Sequence, residues 1–214
     1  MTLASIQLLA AQRQREPVAM TRAQAKTQRA AQGLRAVKLL LVRASHANAP
    51  RQRTVLLHRA ASTWAEPLMA QAACRRGCAH CCHLPLLITS AEARLLAEAN
   101  ARPMTMPAKA IPLRDLLDAD VLENLDAREG KTTPCPFLGA EGQCTSYAQR
   151  PAACRTHINL DDDDLLCRIV EGETVHAPYA DARPLQALIL MLQQDEFLAD
   201  VREFFPDHAD NGLR

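Results

Sequence analysis

The stretch Cys74-Arg-Arg-Gly-Cys78-Ala-His-Cys81-Cys82-His83 places four cysteines and two histidines within one short segment. Its C-x3-C-x2-C-C spacing has no packing explanation, because apolar side chains on one helix face recur every three or four residues. Gly77 allows the backbone to turn sharply before Cys78. We therefore expect these side chains to converge on a metal ion or cluster.

Four further cysteines follow at wider intervals, as Cys135, Cys144, Cys154 and Cys167. Thiolates are soft ligands that suit zinc, Cu(I) or iron–sulfur centres. No second C-x2-C pair occurs among these four, so a zinc ribbon built from two short-spaced pairs fits poorly. The adjacent Cys81 and Cys82 are difficult to place on one small ion, which favours a multi-iron cluster or two metals.

The length and composition indicate a small helical protein. The chain has 214 residues, of which 48% are hydrophobic and 3% aromatic, and so few aromatic residues are a poor basis for a β-rich fold or a base-stacking surface. The formal net charge is +1, so no overall excess marks a nucleic-acid or membrane binder. We predict a mainly α protein whose helices pack around a cysteine-rich, loop-built metal core.

The charge is unevenly distributed along the chain. Residues 1–60 hold eleven basic residues and one acidic residue, whereas residues 161–214 hold four basic and thirteen acidic residues. We expect a basic helical extension over residues 1–69, a metal-binding domain over 70–170 and an acidic helical segment over 171–214 that packs on the core. The oppositely charged ends could pair within one chain or between chains, which would allow a protein partner or a homo-oligomer. The acidic end also competes with nucleic acid for the basic helices, which disfavours nucleic acid as a partner.

Helix-forming residues predominate in the N-terminal half. The spacing of alanine and leucine predicts an amphipathic helix over residues 21–42, with Thr21 as its N-cap. A weaker helix is expected over residues 53–73. Thr89 or Ser90 is expected to cap a helix over residues 91–100.

The C-terminal half predicts three more helices. The first covers residues 113–128, and a turn-rich loop follows over 139–147. The acidic run 161–164 lacks the alternating ligands of a calcium loop, so we interpret it as the solvated start of a helix over 165–170. The last helix opens at Pro184 and runs through Phe205.

The sequence predicts neither a secretory signal nor a membrane span. The apolar run at the N-terminus is short and has no basic region before it. The longest later run, residues 185–192, is far below the roughly 20 residues that a span requires. We therefore expect a cytoplasmic protein, in which structural disulfides are disfavoured.

Taken in order, the cysteine motifs resemble the YkgJ-type cysteine-cluster family of zinc- or iron-chelating domains. The resemblance covers about residues 70–170 and rests on Cys74-x3-Cys78-x2-Cys81-Cys82, Cys135-Pro136-Phe137-Leu138, Cys144-x2-Tyr147 and Arg150-Pro151-x2-Cys154-Arg155. It implies a metal-binding protein that holds iron, as an ion or a [4Fe–4S] cluster, or zinc. The expected metal ligands are Cys74, Cys78, Cys81, Cys82, Cys135, Cys144, Cys154 and Cys167.

Two alternative functions stay open. A related cysteine cluster occurs in flagellin lysine methylases, which implies an iron- or iron–sulfur-dependent enzyme acting on protein. The metal could instead be structural, in a scaffold that binds a protein or nucleic-acid partner.

Several residues near the cysteines are expected to support the bound metal. Arg150 and Arg155 would offset the negative charge of the thiolates and orient the loop through backbone carbonyls, and Tyr147 would donate a hydrogen bond to a sulfur. Three histidines are candidates either for direct ligands or for supporting contacts: His80, His83 and His157.

Overall fold

The computed structural model describes residues 2–30, 34–75, 77–116 and 133–206. The described chain is mainly helical, so the predicted fold class is confirmed. Its α-helices are α1 (Leu3–Ala30), α2 (Leu34–Ser45), α3 (Pro50–Met69), α4 (Ser90–Ala99), α5 (Ala152–Thr156), α6 (Arg183–Met191) and α7 (Val201–Phe204). Short 3-10 turns lie at His80–His83, Leu113–Asp115, Tyr147–Gln149 and Leu165–Cys167.

The N-terminal helices differ in their bounds from the prediction. Within residues 21–42, α1 is described as far as Ala30 and α2 from Leu34, and residues 31–33 between them lie outside the described part. Thr21 is not an N-cap, because α1 continues upstream through residues that are also good helix formers. The Thr21 hydroxyl instead donates to the carbonyl of Pro17, within the helix.

The next two helices agree better with the helices that the sequence predicts. Helix α3 begins at Pro50, a residue that suits a first helical turn, and ends at Met69 rather than at residue 73. Thr89 caps α4 through a capping box: its hydroxyl accepts from the Glu92 N–H, and the Glu92 carboxylate accepts from the Thr89 N–H. The predicted cap is therefore confirmed.

Three short strands form one antiparallel sheet, in which β3 (Phe197–Asp200) lies between β1 (Leu87–Thr89) and β2 (Ile111–Pro112). The prediction of a helix from Pro184 through Phe205 is therefore wrong in its second half. Helix α6 ends at Met191, and the chain then forms β3 and α7. Leu198 and Ala199 are adjacent in β3 and point to opposite faces of the sheet, and both are buried, so the strand is covered on both faces.

The predicted helix over residues 113–128 lies mostly outside the described residues. Its start forms the 3-10 turn Leu113–Asp115, and residues 117–132 are not described. The turn-rich loop over residues 139–147 is closed by an isolated antiparallel bridge between Leu138 and Cys144.

Two apolar clusters include or contact residues of the cysteine-rich segment. One joins α2, α3, α5 and α6 around Leu57 and Ile189. The other packs Ile88, Phe137 and Phe205 against the sheet, with the Phe137 and Phe205 rings edge to face at 4.9 Å. Cys135 and Cys144 pack against this second cluster, so the metal-binding segment is anchored on the protein core.

The acidic run 161–164 is not the solvated helix start that the sequence predicts. The side chain of Asp161 has 0% exposure, and Arg15 of α1 donates to it through both Nε and Nη2 at 2.9–3.1 Å. The run is followed by the 3-10 turn Leu165–Cys167 rather than a helix to residue 170. A buried carboxylate requires a paired charge, and α1 supplies it.

Helix α1 makes further contacts with the acidic run and with the residues that follow it. Arg22 and Lys26 pair with Asp162, and Arg13 pairs with Glu173. The buried Gln12 amide donates to the carbonyls of Leu165 and Arg168, at 2.9 and 2.7 Å. The basic N-terminal helix and the acidic loop therefore meet within one chain.

Within the part of the chain that the structure describes, no helix combines the length and the apolar character needed to cross a bilayer.

We expect the substitution Asp161→Asn to lower the free energy of unfolding by about 3 kcal/mol, because it leaves the Arg15 guanidinium without its buried partner. For a chain of this size the melting temperature should fall by roughly 6–12 °C, measured by circular dichroism. The matched control is Asp181→Asn, which removes a half-exposed partner of Arg183 and should change little. Equal effects of the two substitutions would contradict the role of Asp161.

Candidate metal centre

Seven of the eight cysteines line one cavity of about 1180 Å³. They come from both halves of the motif and are Cys74, Cys78, Cys81, Cys82, Cys135, Cys144 and Cys154. All eight cysteines are free thiols. Cys167 lies outside the cavity lining, although the sequence placed it with the others.

The first motif is shaped by one turn and one short helix. Gly77 has a φ of +84°, which confirms the sharp turn expected there, and the Cys78 N–H donates to the Arg75 carbonyl at 3.0 Å. The 3-10 helix His80–His83 then carries Cys81 and Cys82. Despite being adjacent, both thiols face the same cavity, and a hydrogen bond from Cys82 lowers the pKa of Cys81 while it raises that of Cys82.

The second motif is attached directly to the first. The Cys135 N–H donates to the Cys82 carbonyl at 2.8 Å. Gly142, with a φ of +75°, packs so closely that a Cβ there would lie 3.1 Å from the Gly77 carbonyl oxygen. The two turns therefore touch each other, which brings two distant parts of the sequence to one site.

Glu92 positions the helix that carries Cys154. Its buried carboxylate accepts hydrogen bonds from the Ala152 N–H at 2.8 Å and from His58 Nε2 at 3.0 Å. Burial would raise the pKa of Glu92, but the bonds from His58, Thr89 and Ala152 outweigh it and lower that pKa. The carboxylate therefore stays ionised and holds the start of α5.

Arg202 holds the backbone of both motifs, and no pattern in the sequence predicts this role. Its guanidinium donates to the carbonyls of Cys82 and Leu84 at 3.0 and 3.1 Å, and to the carbonyl of Thr133 at 2.6 Å. Asp200 balances its charge at 3.1 Å. An isolated arginine at the start of a short helix has no local pattern that distinguishes it from a surface residue.

Arg155 and Arg150 have different surroundings. Arg155 donates to the carbonyls of Arg150 and Ala148 and to the Ser62 hydroxyl, so it braces the loop before α5. The Arg150 guanidinium lies 3.6 Å from the centre of the half-exposed Tyr147 ring, in a cation–π contact. Arg150 Nε is buried, lines the cavity and has no partner among the described residues.

The histidines also differ from one another. His80 Nε2 lies 2.8 Å from the Asp164 carboxylate. The His157 ring packs on Tyr179 at 3.9 Å, and its buried Nε2 has no partner within the described chain. Burial lowers the pKa of His157, so its imidazole is neutral near pH 7. His83 is half-buried at the end of its 3-10 turn.

Asn159 contacts two cysteines, a role that sequence reasoning missed. Its backbone N–H donates to Cys74 Sγ at 3.4 Å, and its side-chain Nδ2 donates to Cys167 Sγ at 3.2 Å. The Tyr179 hydroxyl donates to the same Cys167 sulfur at 3.6 Å. N–H groups directed at sulfur stabilise the thiolate form that a metal requires.

Burial has the largest effect on the pKa values of four of the thiols. It raises the pKa of Cys74, Cys135 and Cys154, and it raises that of Cys167 to about 11. The charge of Arg150 acts in the opposite direction on Cys74 and Cys154. These buried thiols are therefore protonated near pH 7 and must lose protons to become ligands.

The donor set fits a soft metal in its chemistry, since thiols dominate the cavity wall. Among the described residues, no group of three or more His, Cys, Asp or Glu side chains is arranged closely enough to hold one ion. Ligation of one ion by several of these sulfurs would therefore require them to move closer together.

Comparison with known proteins supports a metal-binding role for this segment. Residues 73–175 match the family model CxxCxxCC, described as a "putative zinc- or iron-chelating domain". The resemblance inferred from the cysteine motifs, over about residues 70–170, is thereby confirmed. No curated protein and no solved structure matches the chain.

The pH dependence of stability tests the role of Glu92. Its lowered pKa stabilises the fold above the unfolded value of about 4.3, and this stabilisation is lost as the pH falls through the folded value. We expect Glu92→Gln to lower the free energy of unfolding by about 2–4 kcal/mol at pH 7, and by progressively less as the pH falls through the lowered pKa of Glu92 in the folded state. Urea denaturation at several pH values measures the difference.

Glu98→Gln is the matched control for this experiment, because Glu98 lies exposed on the same helix and pairs with exposed Arg51. It should change the stability little at any pH. A deficit of Glu92→Gln that is independent of pH would show that the charge of Glu92 is not what matters.

Proposed function

We propose that this protein binds zinc or iron through thiolates drawn from both halves of its cysteine motif, because residues 73–175 match the CxxCxxCC model of zinc- or iron-chelating domains. The supporting observation is the convergence of seven cysteines on one cavity. Cys74 and Cys154 lie far apart in the sequence. Apolar packing alone does not explain why so many thiols line one cavity.

The surroundings of the cavity suit thiolate ligands. Bound thiolates carry negative charge into a partly buried site, which is costly without compensation. Arg150 supplies a guanidinium whose Nε is buried and unpartnered among the described residues, and the Arg202 guanidinium donates to the Cys82 carbonyl. This arrangement supports Arg150 as the residue that offsets the charge of the loaded site, with Arg155 bracing its loop.

The exposure of Cys81 supports a chelating or carrier role. A structural zinc site is closed, with four protein ligands around the ion. Here Cys81 is exposed to solvent while its neighbour Cys82 is half-buried. An accessible thiol at the mouth of the site offers a route by which a metal could enter or be passed on.

The size of the cavity supports an enzyme as a second candidate. Pockets for small organic molecules span roughly 300–1,000 Å³, and the cavity of about 1180 Å³ exceeds what a metal ion needs. Its wall also carries buried polar atoms without partners in the described chain, Gln143 Oε1 and His157 Nε2. An iron-dependent reaction beside the thiolates would use this space for its substrate.

Metal analysis with an absorption spectrum of anaerobically purified protein tests the proposal. Stoichiometric zinc in a colourless protein would support a zinc chelator and contradict an iron–sulfur centre. A brown protein with iron, acid-labile sulfide and absorbance near 400 nm would support a cluster. A reduced protein that retains neither metal and binds neither when supplied would contradict the proposed function.

Metal binding should release protons, because the buried thiols have raised pKa values. We expect roughly three or four protons per Zn²⁺ bound near pH 7. The apparent affinity should therefore rise steeply from pH 6 to pH 8.5. Competition with a chromophoric chelator measures the affinity, and a dye in weakly buffered solution measures the protons. An affinity independent of pH would exclude thiols as the main ligands.

The substitution Arg150→Gln should weaken zinc binding roughly 10-fold or more, as expected when a group that supports the ligands is lost. The control is Arg114→Gln, which removes the same charge from an exposed side chain outside the cavity lining. Equal affinities of the two variants would contradict the role of Arg150.

A further inference from the structure

The outward face of α2 carries aliphatic and basic side chains next to one another. Side chains three or four positions apart are neighbours on a helix, so this face consists of two adjacent rows. The first row is Leu34, Lys38 and Val42, and the second row is Arg35, Leu39 and Arg43. All six residues are exposed, and together we call them the α2 patch.

The aliphatic side chains of the α2 patch are open to solvent. Leu34, Leu39 and Val42 are 63%, 60% and 46% exposed, and they belong to none of the apolar core clusters of the described chain. The opposite side of α2 is buried in the core that this helix forms with α3. The aliphatic side chains of the patch are therefore available for a contact outside the molecule.

The basic side chains of the α2 patch have no counter-charge. Arg35, Lys38 and Arg43 form no ion pair within the described chain, in contrast to the basic residues of α1, which pair with the acidic run 161–164. Residues 17–65 contain no acidic residue at all. The patch is thus positively charged, although the net charge of the whole chain is only +1.

We propose that the α2 patch binds the surface of a membrane that contains anionic lipids, with α2 parallel to that surface. Such a surface matches both kinds of side chain, because its headgroups are negatively charged and the acyl chains beneath them accept aliphatic groups. Lysine and arginine have long stems, so their charges reach the headgroups while the aliphatic side chains lie deeper. This contact is independent of metal binding at the cysteines.

Other partners match the α2 patch less well, because its six side chains include no aromatic, amide or hydroxyl group. Proteins that bind nucleic acid use such groups to stack on bases or to bond base edges, and aliphatic side chains gain nothing from facing phosphates. Protein interfaces are usually centred on aromatic side chains such as Trp and Tyr. Aliphatic groups with positive charges are sufficient only for a lipid surface.

Co-sedimentation of the full-length protein with lipid vesicles tests the proposal. We expect binding to vesicles of phosphatidylcholine and phosphatidylglycerol in equal parts, and little binding to phosphatidylcholine alone. The double variant Arg35→Gln, Lys38→Gln should weaken binding roughly 25-fold, at about fivefold per cation. Leu39→Gln should weaken it roughly 10-fold, because an aliphatic side chain that enters the apolar layer is lost.

Arg114→Gln and Leu188→Gln are the matched controls, since each removes an exposed side chain of the same kind outside α2. Both should bind the anionic vesicles as the wild type does. All the substituted side chains are exposed, so the helical circular dichroism signal should be unchanged. If Leu39→Gln loses helical signal, Val42→Gln tests the same contact.

A wild type that does not bind anionic vesicles would overturn the proposal. Binding that Leu39→Gln leaves unchanged would also overturn it, because the charges alone would then attract any polyanion. Binding of duplex DNA in place of the vesicles would overturn it in favour of nucleic acid. A wild-type dimer that Leu39→Gln converts to a monomer would overturn it in favour of a second copy of this chain.

Discussion

The buried carboxylate of Glu92 is the interaction on which the arrangement of the core depends. It receives hydrogen bonds from His58 of α3, from Thr89 at the end of β1 and from Ala152 at the start of α5. A carboxylate in such a place is costly unless it is paired and hydrogen-bonded, so all three partners must be present together. One side chain thereby fixes the relative positions of a long helix, a strand and the helix that carries Cys154.

The same principle recurs at the acidic loop. Asp161 is buried against Arg15, and neighbouring charges of the loop pair with other basic side chains of α1. Basic side chains near the N-terminus thus pair with acidic side chains of the C-terminal half within one molecule. Three basic side chains of α1 (Arg15, Arg22 and Lys26) hold the loop that begins after Asn159 and leads to Cys167, which places α1 among the supports of the cysteine-rich segment.

The cysteine-rich segment itself contains little regular structure, so its shape depends on polar side chains that bind backbone groups and sulfurs. Arg202 and Arg155 donate to carbonyls of the loops, while Asn159 and Tyr179 donate to sulfurs. Loops held in this way can keep thiols in place without burying them completely. Such a scaffold suits sulfurs that must lose protons and move when a metal binds.

The sequence by itself determined the features that depend on near neighbours. Helical composition, the capping box at Thr89, the turn at Gly77 and the metal-binding character of the cysteine motifs all follow from residues a few positions apart. The tertiary structure alone decided the rest. Residues 197–200 form a strand because β1 and β2 lie on either side, and Asp161 is buried because Arg15 reaches it from α1. Asn159 contacts Cys74, and Arg202 contacts the Cys82 carbonyl; in each pair the two residues lie far apart in the sequence. These contacts join residues that are far apart in the chain. The spacing of neighbouring residues does not indicate which distant group will form a hydrogen bond with a buried donor or acceptor.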